Sequence, residues 1–487
     1  FYKQLDEIHT LGCIYALLEW DQQVYMPPAA AAGRAKQIEF IEKLRHSKLT
    51  DRIFLQTTQA LFDNLESLDY AHKVNVRETH RLCQRQQKLS EDFVGKKALA
   101  CAHAYDLWTQ AKPVSDFSIV KSALQQIVEL SCEEAEQVGY ADTRYDALLD
   151  VFEPGATLNS VKPLLVRLGE SLAKFSLKLQ ARFQDSPGID GDFPEDQQEE
   201  LAVFVMKQLG FDFQEGRLDM SAHPFCSTLG TGDQRVTTRY LRNNFLSALY
   251  GVIHETGHAL YEMGLPEEFH GTPMGTAVSL GVHESQSRFF ENILCRSMEF
   301  CKFLHKHLQK FFPDFYEKSS PEDLWTVLNK VSPSYIRIEA DEVTYSLHII
   351  IRMLLEEQLI NEKIPIEELP EAWNALYTTY LGITPRSDKE GVLQDVHWYS
   401  GLIGYFPTYA LGNLYGAYML DSMKVVIPDY LKDVEEGKFG NILGWLRKNV
   451  HEKGMQYTGT QLVENLSGKP FSEDAFIAYI KEKFLVQ

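Results

Sequence analysis

Helical periodicity is the feature of this sequence that most limits its fold. Apolar residues such as Leu5, Ile8 and Leu11 recur along one stripe, and the stretch 74–107 is long, rich in charge and almost free of Gly and Pro. Segments of this kind leave little of the chain for sheets, so the sequence predicts a mainly α fold. The further predicted helices cover residues 118–136, 160–183, 244–263, 279–307, 341–361 and 471–484.

Two segments depart from the helical pattern. Residues 185–196 accumulate Pro, Gly and Asp without apolar periodicity, which is typical of an exposed loop and also of a boundary between lobes. Residues 217–240 contain short segments rich in Thr and Val around a Gly-Thr-Gly-Asp sequence, and this pattern predicts a small antiparallel hairpin.

The charge balance limits the kinds of partner. The chain has 48 Lys and Arg residues against 68 Asp and Glu residues, a net charge of −20 over 487 residues. Because so acidic a surface repels a phosphate backbone, we expect no nucleic-acid partner, although a local cationic pocket for an anionic ligand is compatible with it. No stretch reaches the roughly 18 consecutive apolar residues of a membrane-spanning helix, so we expect no membrane partner either.

The cysteines indicate the compartment. There are seven of them, an odd number, without a Cys-x-x-Cys pair or a dense cluster. That usage is typical of a reduced, cytoplasmic protein. The opening residues lack a basic segment followed by an apolar run, and so they give no indication of a signal peptide.

Residues 254–258 have the sequence His-Glu-Thr-Gly-His, within a segment whose apolar residues favour a helix. On an α-helix, positions i and i+4 lie on one face. The imidazoles of His254 and His258 can therefore reach one zinc ion, while Glu255 lies beside a water on that ion.

Such a motif requires a third ligand. In a metzincin, Gly and His occupy the third and sixth positions after the second His, but here those positions are Tyr261 and Gly264, which excludes that class. The remaining common solution is a Glu from a following helix, which gives a His₂Glu set with one position open for water.

Glu284 is the best candidate for that ligand because it opens a helical stretch after the Gly-rich turn 271–281. Glu262 and Glu267 are nearer in sequence, but they lie at the end of the first helix or in its turn, where folding back to the metal is awkward. The alternative for Glu284 is an ion pair with Arg288 at i and i+4.

This residue set predicts metal-dependent peptide hydrolysis. Zinc lowers the pKa of its water, Glu255 takes the proton, and the hydroxide attacks a carbonyl that the same ion polarises. Two alternatives stay open: an endo-acting helical oligopeptidase, and a non-catalytic helical scaffold that keeps a metal site for stability.

Several separate motifs, in the same order, resemble those of the carboxypeptidase Taq family of metallocarboxypeptidases. The resemblance covers essentially the full length, and residues 18–21 with Met26 and Pro27 also look like the family's opening segment. The motifs are His-Pro-Phe at 223–225, Asp-Gln-Arg-Val-Thr at 233–237, the zinc motif at 254–258, His-Glu-Ser-Gln at 283–286, Ile-Arg-Ile-Glu-Ala-Asp at 336–341 and Gly-Val-Leu-Gln-Asp-Val-His-Trp at 391–398.

The resemblance implies a two-lobed, mostly helical metallopeptidase with a deep substrate groove, similar to the thimet and angiotensin-converting oligopeptidases, and with a small hairpin or sheet near the active site. It implies a homodimer that removes single residues from free C-termini with broad specificity, with Zn²⁺ as the default metal and Co²⁺ as an alternative. We expect one catalytic unit over 1–487, with helical N-terminal lobe elements in 1–200 and the zinc site in 201–487.

A carboxypeptidase must recognise a free α-carboxylate, which a guanidinium does with two parallel hydrogen bonds. Arg337 is the first candidate for this clamp, and a structural salt bridge with Glu339 or Asp341 is its alternative. Arg235 has the same two possible roles, with Asp233 as the structural partner. The sequence does not decide between the two arginines.

His397 and Tyr409, twelve residues apart, match a His and a Tyr that donate hydrogen bonds to the oxyanion or the substrate backbone in the related oligopeptidases. Tyr405 competes with Tyr409 for that role.

Two more histidines have double interpretations. His223, at the edge of the predicted hairpin, either touches the substrate backbone or is structural. His283 is a candidate for substrate binding. Together with Asp341, it is also a candidate for supporting a zinc ligand from behind, because a zinc-bound imidazole needs a partner for its other nitrogen.

Overall fold

The computed structural model describes residues 1–183 and 187–485, and most of them are helical. No helix among them has the length and apolar character needed to cross a membrane. The N-terminal helices are α1 (Tyr2–Val24), α2 (Ala31–Leu49), α3 (Arg52–Asp63), α4 (Tyr70–Lys88), α5 (Glu91–Val114), α6 (Lys121–Val138), α7 (Arg144–Leu149), α8 (Leu158–Gln180) and α9 (Glu195–Leu209).

The remaining helices follow a small sheet in sequence. They are α10 (Phe245–Glu262), α11 (Leu280–Arg288), α12 (Met298–Phe311), α13 (Pro313–Tyr316), α14 (Pro321–Leu328), α15 (Glu342–Ile360), α16 (Leu369–Leu381), α17 (Pro407–Val426), α18 (Tyr430–Glu435), α19 (Gly440–Asn449), α20 (Gly459–Ser467) and α21 (Asp474–Leu485). The predicted mainly α fold is confirmed.

The helix expected over 74–107 is wrong as one continuous element, because α4 ends at Lys88 and α5 begins at Glu91. Leu89 is extended, and the side chain of Ser90 accepts a hydrogen bond from the amide of Phe93, which caps α5. The helix expected over 279–307 is also interrupted, by a π-helical turn at Phe289–Leu294. Other boundaries agree closely, and the side chain of Asn244 caps α10 by accepting from the amide of Ser247.

The sheet contains three strands, β1 (Gly216–Met220), β2 (Cys226–Thr228) and β3 (Gln234–Thr238), in the order β1-β3-β2. Strands β2 and β3 form the predicted antiparallel hairpin. Strand β1 joins β3 in parallel, so the sheet is mixed. Residues 187–194 of the predicted loop have no helix or strand, whereas Asp185 and Ser186 lie outside the described residues. The division of the chain near residue 200 stays a prediction.

The centre of the molecule is a layer of helices in which α11 packs between α10 and α17. Val252, Val282 and Leu414, one from each helix, are fully buried. Helices α11 and α17 approach most closely at Gly412, where a Cβ atom would lie 2.8 Å from Cγ of Glu284. This close packing fixes the position of Glu284 relative to α10.

Candidate metal centre

Helix α10 presents its motif toward α11 because Gly257 lets the two backbones meet. A Cβ atom at this position would lie 2.7 Å from the carbonyl oxygen of Gln286 and from Cα of Ser287. Any larger residue would push α11 away, and Glu284 would leave the histidines.

The side chains of His254, His258 and Glu284 converge. Oε2 of Glu284 lies 3.8 Å from Nε2 of His254 and 3.5 Å from Nε2 of His258. All three ligand atoms fall within 4.8 Å of one another. A tetrahedral zinc ion with bonds of about 2.0–2.1 Å separates its ligands by about 3.4 Å, so this donor set fits one such cation. Among the described residues, no other group of three His, Cys, Asp or Glu side chains has this spacing.

Glu291, from the π-helical turn, supports His254 from behind. Its Oε2 lies 2.8 Å from Nδ1 of His254. Burial opposes ionisation of Glu291, but Arg288 and Arg296 outweigh it and hold the pKa of this carboxyl well below its usual range. A carboxylate in this position fixes the ring of a ligating histidine. The sequence reasoning missed Glu291, because this residue lies in a π-helical turn where α-helical spacing does not fix the side-chain direction.

His258 has a different partner. Its Nδ1 lies 2.6 Å from Nδ1 of His283, and Nε2 of His283 lies 2.8 Å from Oε1 of Glu262. Both ring nitrogens of His283 therefore have protein partners, which favours the supporting role of this residue over substrate binding. Asp341, the other candidate for support, instead caps α15 by accepting from the amides of Val343 and Thr344.

Burial and charge set the protonation of the motif. Burial raises the pKa of Glu255 to about 7, and the nearby carboxylate of Glu284 adds to the rise. Burial lowers the pKa of His258 to about 4. For His254, burial is outweighed by the carboxylates of Glu284 and Glu291, which raise its pKa to about 9.

Arg337 is almost fully buried and binds neither of its expected partners. Its Nε and Nη2 lie 3.0 and 2.9 Å from Oδ1 of Asp395, and its Nη1 donates to the hydroxyl of Tyr345. Arg352 binds the other oxygen of Asp395 at 3.0 Å. The alternative salt bridge with Glu339 or Asp341 does not form, because Glu339 is exposed and Asp341 caps a helix; the buried salt bridge of Arg337 is with Asp395.

His397 and Tyr409 lie beside Arg337. Nε2 of His397 is 3.2 Å from the hydroxyl of Tyr409, whose ring centroid is 5.1 Å from the Arg337 guanidinium carbon. Burial lowers the pKa of His397 to about 4, so the imidazole is neutral at pH 7. The Tyr405 ring packs against Tyr409 at 5.3 Å. Burial, with the Glu284 carboxylate nearby, raises the pKa of both phenols.

The sequence model of the carboxypeptidase Taq (M32) metallopeptidases matches residues 1–484. The chain belongs to this family. Carboxypeptidase 1 of Bacillus subtilis is 35% identical over 487 residues, covering 99% of this chain and 97% of the relative. Thermostable carboxypeptidase 1 of Thermus thermophilus is 37% identical over 499 residues, with the same coverage.

Solved structures agree with the family assignment. Pyrococcus furiosus carboxypeptidase is 34% identical with a TM-score of 0.96, covering 99% of this chain and 98% of that one. Trypanosoma cruzi metallocarboxypeptidase 1 is 32% identical with a TM-score of 0.94, covering 99% of each chain. The protein is thus a metal-dependent carboxypeptidase that acts on peptides and uses a divalent cation, and the predicted family and enzyme class are confirmed.

Arg235 and His223, the two remaining candidates for substrate binding in this M32 carboxypeptidase, lie at the small sheet. Arg235 in β3 forms a two-pronged ion pair with Asp233, and its guanidinium carbon lies 4.6 Å from the ring centroid of Trp20 in α1. His223 is exposed in the loop between β1 and β2, where its carbonyl accepts from Ser221. The structure therefore groups Arg337 with His397 and Tyr409, and places Arg235 in a separate contact with α1.

Proposed function

We propose that this carboxypeptidase removes single residues from peptides with a free C-terminus, with broad specificity, and that His254, His258 and Glu284 hold its Zn²⁺. The observation that carries the proposal is the physical link between the donor set and Arg337. Arg288 donates to Glu284 at 2.7 Å and stacks on the Tyr345 ring, and the Tyr345 hydroxyl accepts from Arg337. The groups for chemistry and for carboxylate recognition therefore belong to one network.

When bound, the ion supplies Lewis acidity to the substrate carbonyl and lowers the pKa of water. Co²⁺ accepts the same nitrogen and oxygen donors in a similar geometry, so we propose it as an alternative metal. Glu255, next to the first histidine ligand, accepts the proton of the attacking water and returns it to the leaving amine.

We assign the recognition of the substrate carboxylate to Arg337. Arg337 and Arg352 share the single carboxylate of Asp395, so the three side chains together retain one positive charge. A buried positive charge attracts an anion strongly because little water screens it. Because the chain has a net charge of −20, that attraction acts locally and not by long-range steering.

His397 and Tyr409 are the proposed donors to the oxygen of the scissile carbonyl. The imidazole and the phenol meet at 3.2 Å beside Arg337. Both are neutral at pH 7, because burial disfavours the imidazolium and the phenolate, so each has one N–H or O–H to donate. Donors placed where charge develops each contribute about 3 kcal/mol to transition-state stabilisation. Tyr405 is the second candidate for the phenol because it lies against Tyr409.

The decisive experiment compares peptides that differ only in a free or amidated C-terminus. We expect release of the last residue from the free acid alone, loss of activity on chelation, and recovery with Zn²⁺ or Co²⁺. Equal turnover of the two peptides would favour the endo-acting oligopeptidase. Hydrolysis that is independent of any metal would overturn the proposal, and absence of hydrolysis would favour a scaffold.

We also propose a cytoplasmic homodimer. The seven cysteines are unpaired, as expected in a reducing compartment. The dimer follows from the family resemblance. In addition, helices α1 and α2 bury little besides Leu5, Trp20 and Leu49, and they leave Leu17 and Phe40 exposed. Light scattering on the purified chain measures the oligomeric state, and a monomeric mass would contradict it.

A further inference from the structure

His283 lies between a proposed metal ligand and a carboxylate. Its Nδ1 is 2.6 Å from Nδ1 of His258, and its Nε2 is 2.8 Å from Oε1 of Glu262. The side chains of His258, His283 and Glu262 are 16%, 20% and 19% exposed, so water competes little for these hydrogen bonds.

Metal binding at His258 dictates the direction of both hydrogen bonds. Nε2 of His258 faces Glu284 at 3.5 Å, and it needs a free lone pair to ligate. A neutral His258 then carries its proton on Nδ1 and donates it to Nδ1 of His283. Because that nitrogen of His283 accepts, the proton of His283 is on Nε2 and is donated to Glu262. A single arrangement of protons on His258 and His283 is therefore compatible with a bound metal.

The chain of contacts also joins the two helices that carry the ligands. Glu262 lies four residues after His258 on α10, and His283 immediately precedes Glu284 on α11. Both hydrogen bonds run between α10 and α11, so a displacement of one helix relative to the other would strain both. The arrangement thus ties the orientation of one ligand ring to the position of the other ligand.

The charge of the Glu262 carboxylate has few partners other than His283. Burial opposes its ionisation, but the interactions with His283, Thr228 and His258 together outweigh burial, and the pKa of Glu262 lies below its usual value. Glu291 behind His254 is bound by Arg288 and Arg296. By contrast, within the described part of the chain Glu262 has no ion pair with Lys or Arg.

We propose that Glu262 and His283 are positioning residues that hold the proton of His258 on Nδ1 and increase the affinity of its Nε2 for the metal. The proposal rests on the ligand role of His258 proposed above. Glu262 hydrogen-bonds to His283 and not to His258, and neither residue is assigned a contact with the substrate. A carboxylate behind a ligating histidine makes the ring a stronger donor, and removing such a partner typically weakens metal binding by 10–100-fold.

The test measures the dissociation constants of Zn²⁺ and Co²⁺ on chelator-stripped protein, by competition with a chromophoric chelator. E262Q keeps an acceptor oxygen for His283 and removes the charge. H283N keeps an oxygen near the position of Nδ1 for His258 and cuts the path to Glu262. E268Q is the control, since Glu268 is exposed in the short 3-10 turn that follows α10, and the substitution removes the same charge.

We expect E262Q and H283N each to weaken metal binding at least 10-fold, with E268Q unchanged. The double variant should bind the metal no more weakly than H283N alone, because without His283 no hydrogen bonds link Glu262 to His258. A shifted visible spectrum of bound Co²⁺ in E262Q, with an unchanged melting temperature of the stripped protein, would separate positioning from a structural role.

Three results would each overturn the positioning role of Glu262 and His283: wild-type metal affinity in E262Q, additive losses of affinity in the double variant, or an equal loss of affinity in E268Q. H258Q separates this failure from that of the proposed function. If H258Q binds metal as tightly as the wild type, the ligand assignment itself is wrong. If H258Q loses the metal and E262Q binds it normally, only the positioning role of Glu262 and His283 is rejected.

Discussion

The guanidinium carbon of Arg288 lies 4.0 Å from the centroid of the Tyr345 ring. Through this contact the donor set and the proposed clamp share a residue, because Arg288 also binds Glu284 and the Tyr345 hydroxyl accepts from Arg337 at 3.1 Å. The two contacts of Tyr345 can be removed separately. Substitution by Phe removes the hydroxyl that binds Arg337, and substitution by Ala also removes the ring that contacts Arg288.

Y345F should raise KM for free-acid peptides about five-fold, because Arg337 loses one hydrogen bond worth about 1 kcal/mol. Metal affinity should be unchanged, since the ring still stacks on Arg288. Y345A should also weaken metal binding, because Arg288 loses a buried cation–π contact of about 2 kcal/mol and holds Glu284 less firmly. Steady-state kinetics and chelator competition measure the two effects, and a metal defect in Y345F would contradict this division.

Substitution of Glu255 should reduce the rate of the chemical step without weakening the binding of substrate or metal. E255Q should reduce kcat by at least about 100-fold, because a neutral amide cannot take the proton of the attacking water. KM and the metal content should stay close to wild type, since the side chain is not among the proposed ligands. Metal analysis and kinetics on the same preparation check this, with E267Q at an exposed position as the control. Substantial residual turnover in E255Q would sink the assignment.

Arg337 and Arg235 can be distinguished by conservative substitution. R337K keeps the positive charge but loses the paired N–H donors of the guanidinium. This should reduce transition-state stabilisation by about 2 kcal/mol, or kcat/KM by about 30-fold, for free-acid peptides alone. Arg352 still pairs with Asp395 in this variant, so the buried carboxylate keeps a partner. R235K should leave the ratio of free-acid to amidated turnover unchanged. The reverse result would transfer the clamp to Arg235.

The sequence predicts the convergence of His254, His258 and Glu284 because the information for it is local. His254 and His258 need only a helix, and Glu284 needs only a returning helix after a Gly-rich turn. The break at Leu89 could also have been found, since Ser90 followed by two acidic residues is a typical helix start. The parallel pairing of β1 with β3 is not local, and no turn residue specifies it.

The supporting residues were missed for the same reason. Glu291 stands behind His254 from within a π-helical turn, where an α-helical pattern does not fix the side-chain direction. Asp395 lies 58 residues after Arg337, and only the tertiary packing shows that they pair. Burial and long-range contacts, which decide these roles, leave no periodic signal in the chain.

Gly281 should be essential for the position of α11. The buried carboxylate of Glu153 accepts from the amide of Gly281 at 3.1 Å, from Ser279 at 3.0 Å and from Tyr415 at 2.9 Å. A Cβ atom at Gly281 would collide with this carboxylate. It would therefore shift the first turn of the helix that carries Glu284.

G281A should lower the free energy of unfolding by about 1–3 kcal/mol and weaken metal binding. Gly444 in α19 is the matched control, because it is exposed and a Cβ atom there would meet nothing within 4 Å. G444A should stabilise the protein by about 0.5–1 kcal/mol through the better helix propensity of Ala. Urea unfolding measures both variants, and a neutral G281A would contradict the proposed anchor.

His451 should make the fold sensitive to acid. Its Nε2 lies 2.9 Å from Oε1 of Gln286, and a Cβ atom at Gly264 would collide with its Nδ1. Burial lowers the pKa of His451 to about 3. The unfolded chain, with a histidine pKa of about 6.5, binds a proton that the folded chain refuses. The stability from the neutral imidazole is thus complete above pH 6.5 and decreases as the pH falls toward 3.

H451Q keeps a side-chain N–H for Gln286 and cannot be protonated. Its free energy of unfolding should therefore fall less steeply between pH 6 and pH 4 than that of the wild type, by about 1.4 kcal/mol per pH unit. Urea unfolding of the chelator-stripped protein across this range measures the slopes without competition between protons and metal. H103Q removes an exposed histidine and should retain the wild-type slope. Parallel slopes for H451Q and the wild type would show that His451 takes up its proton in the folded state.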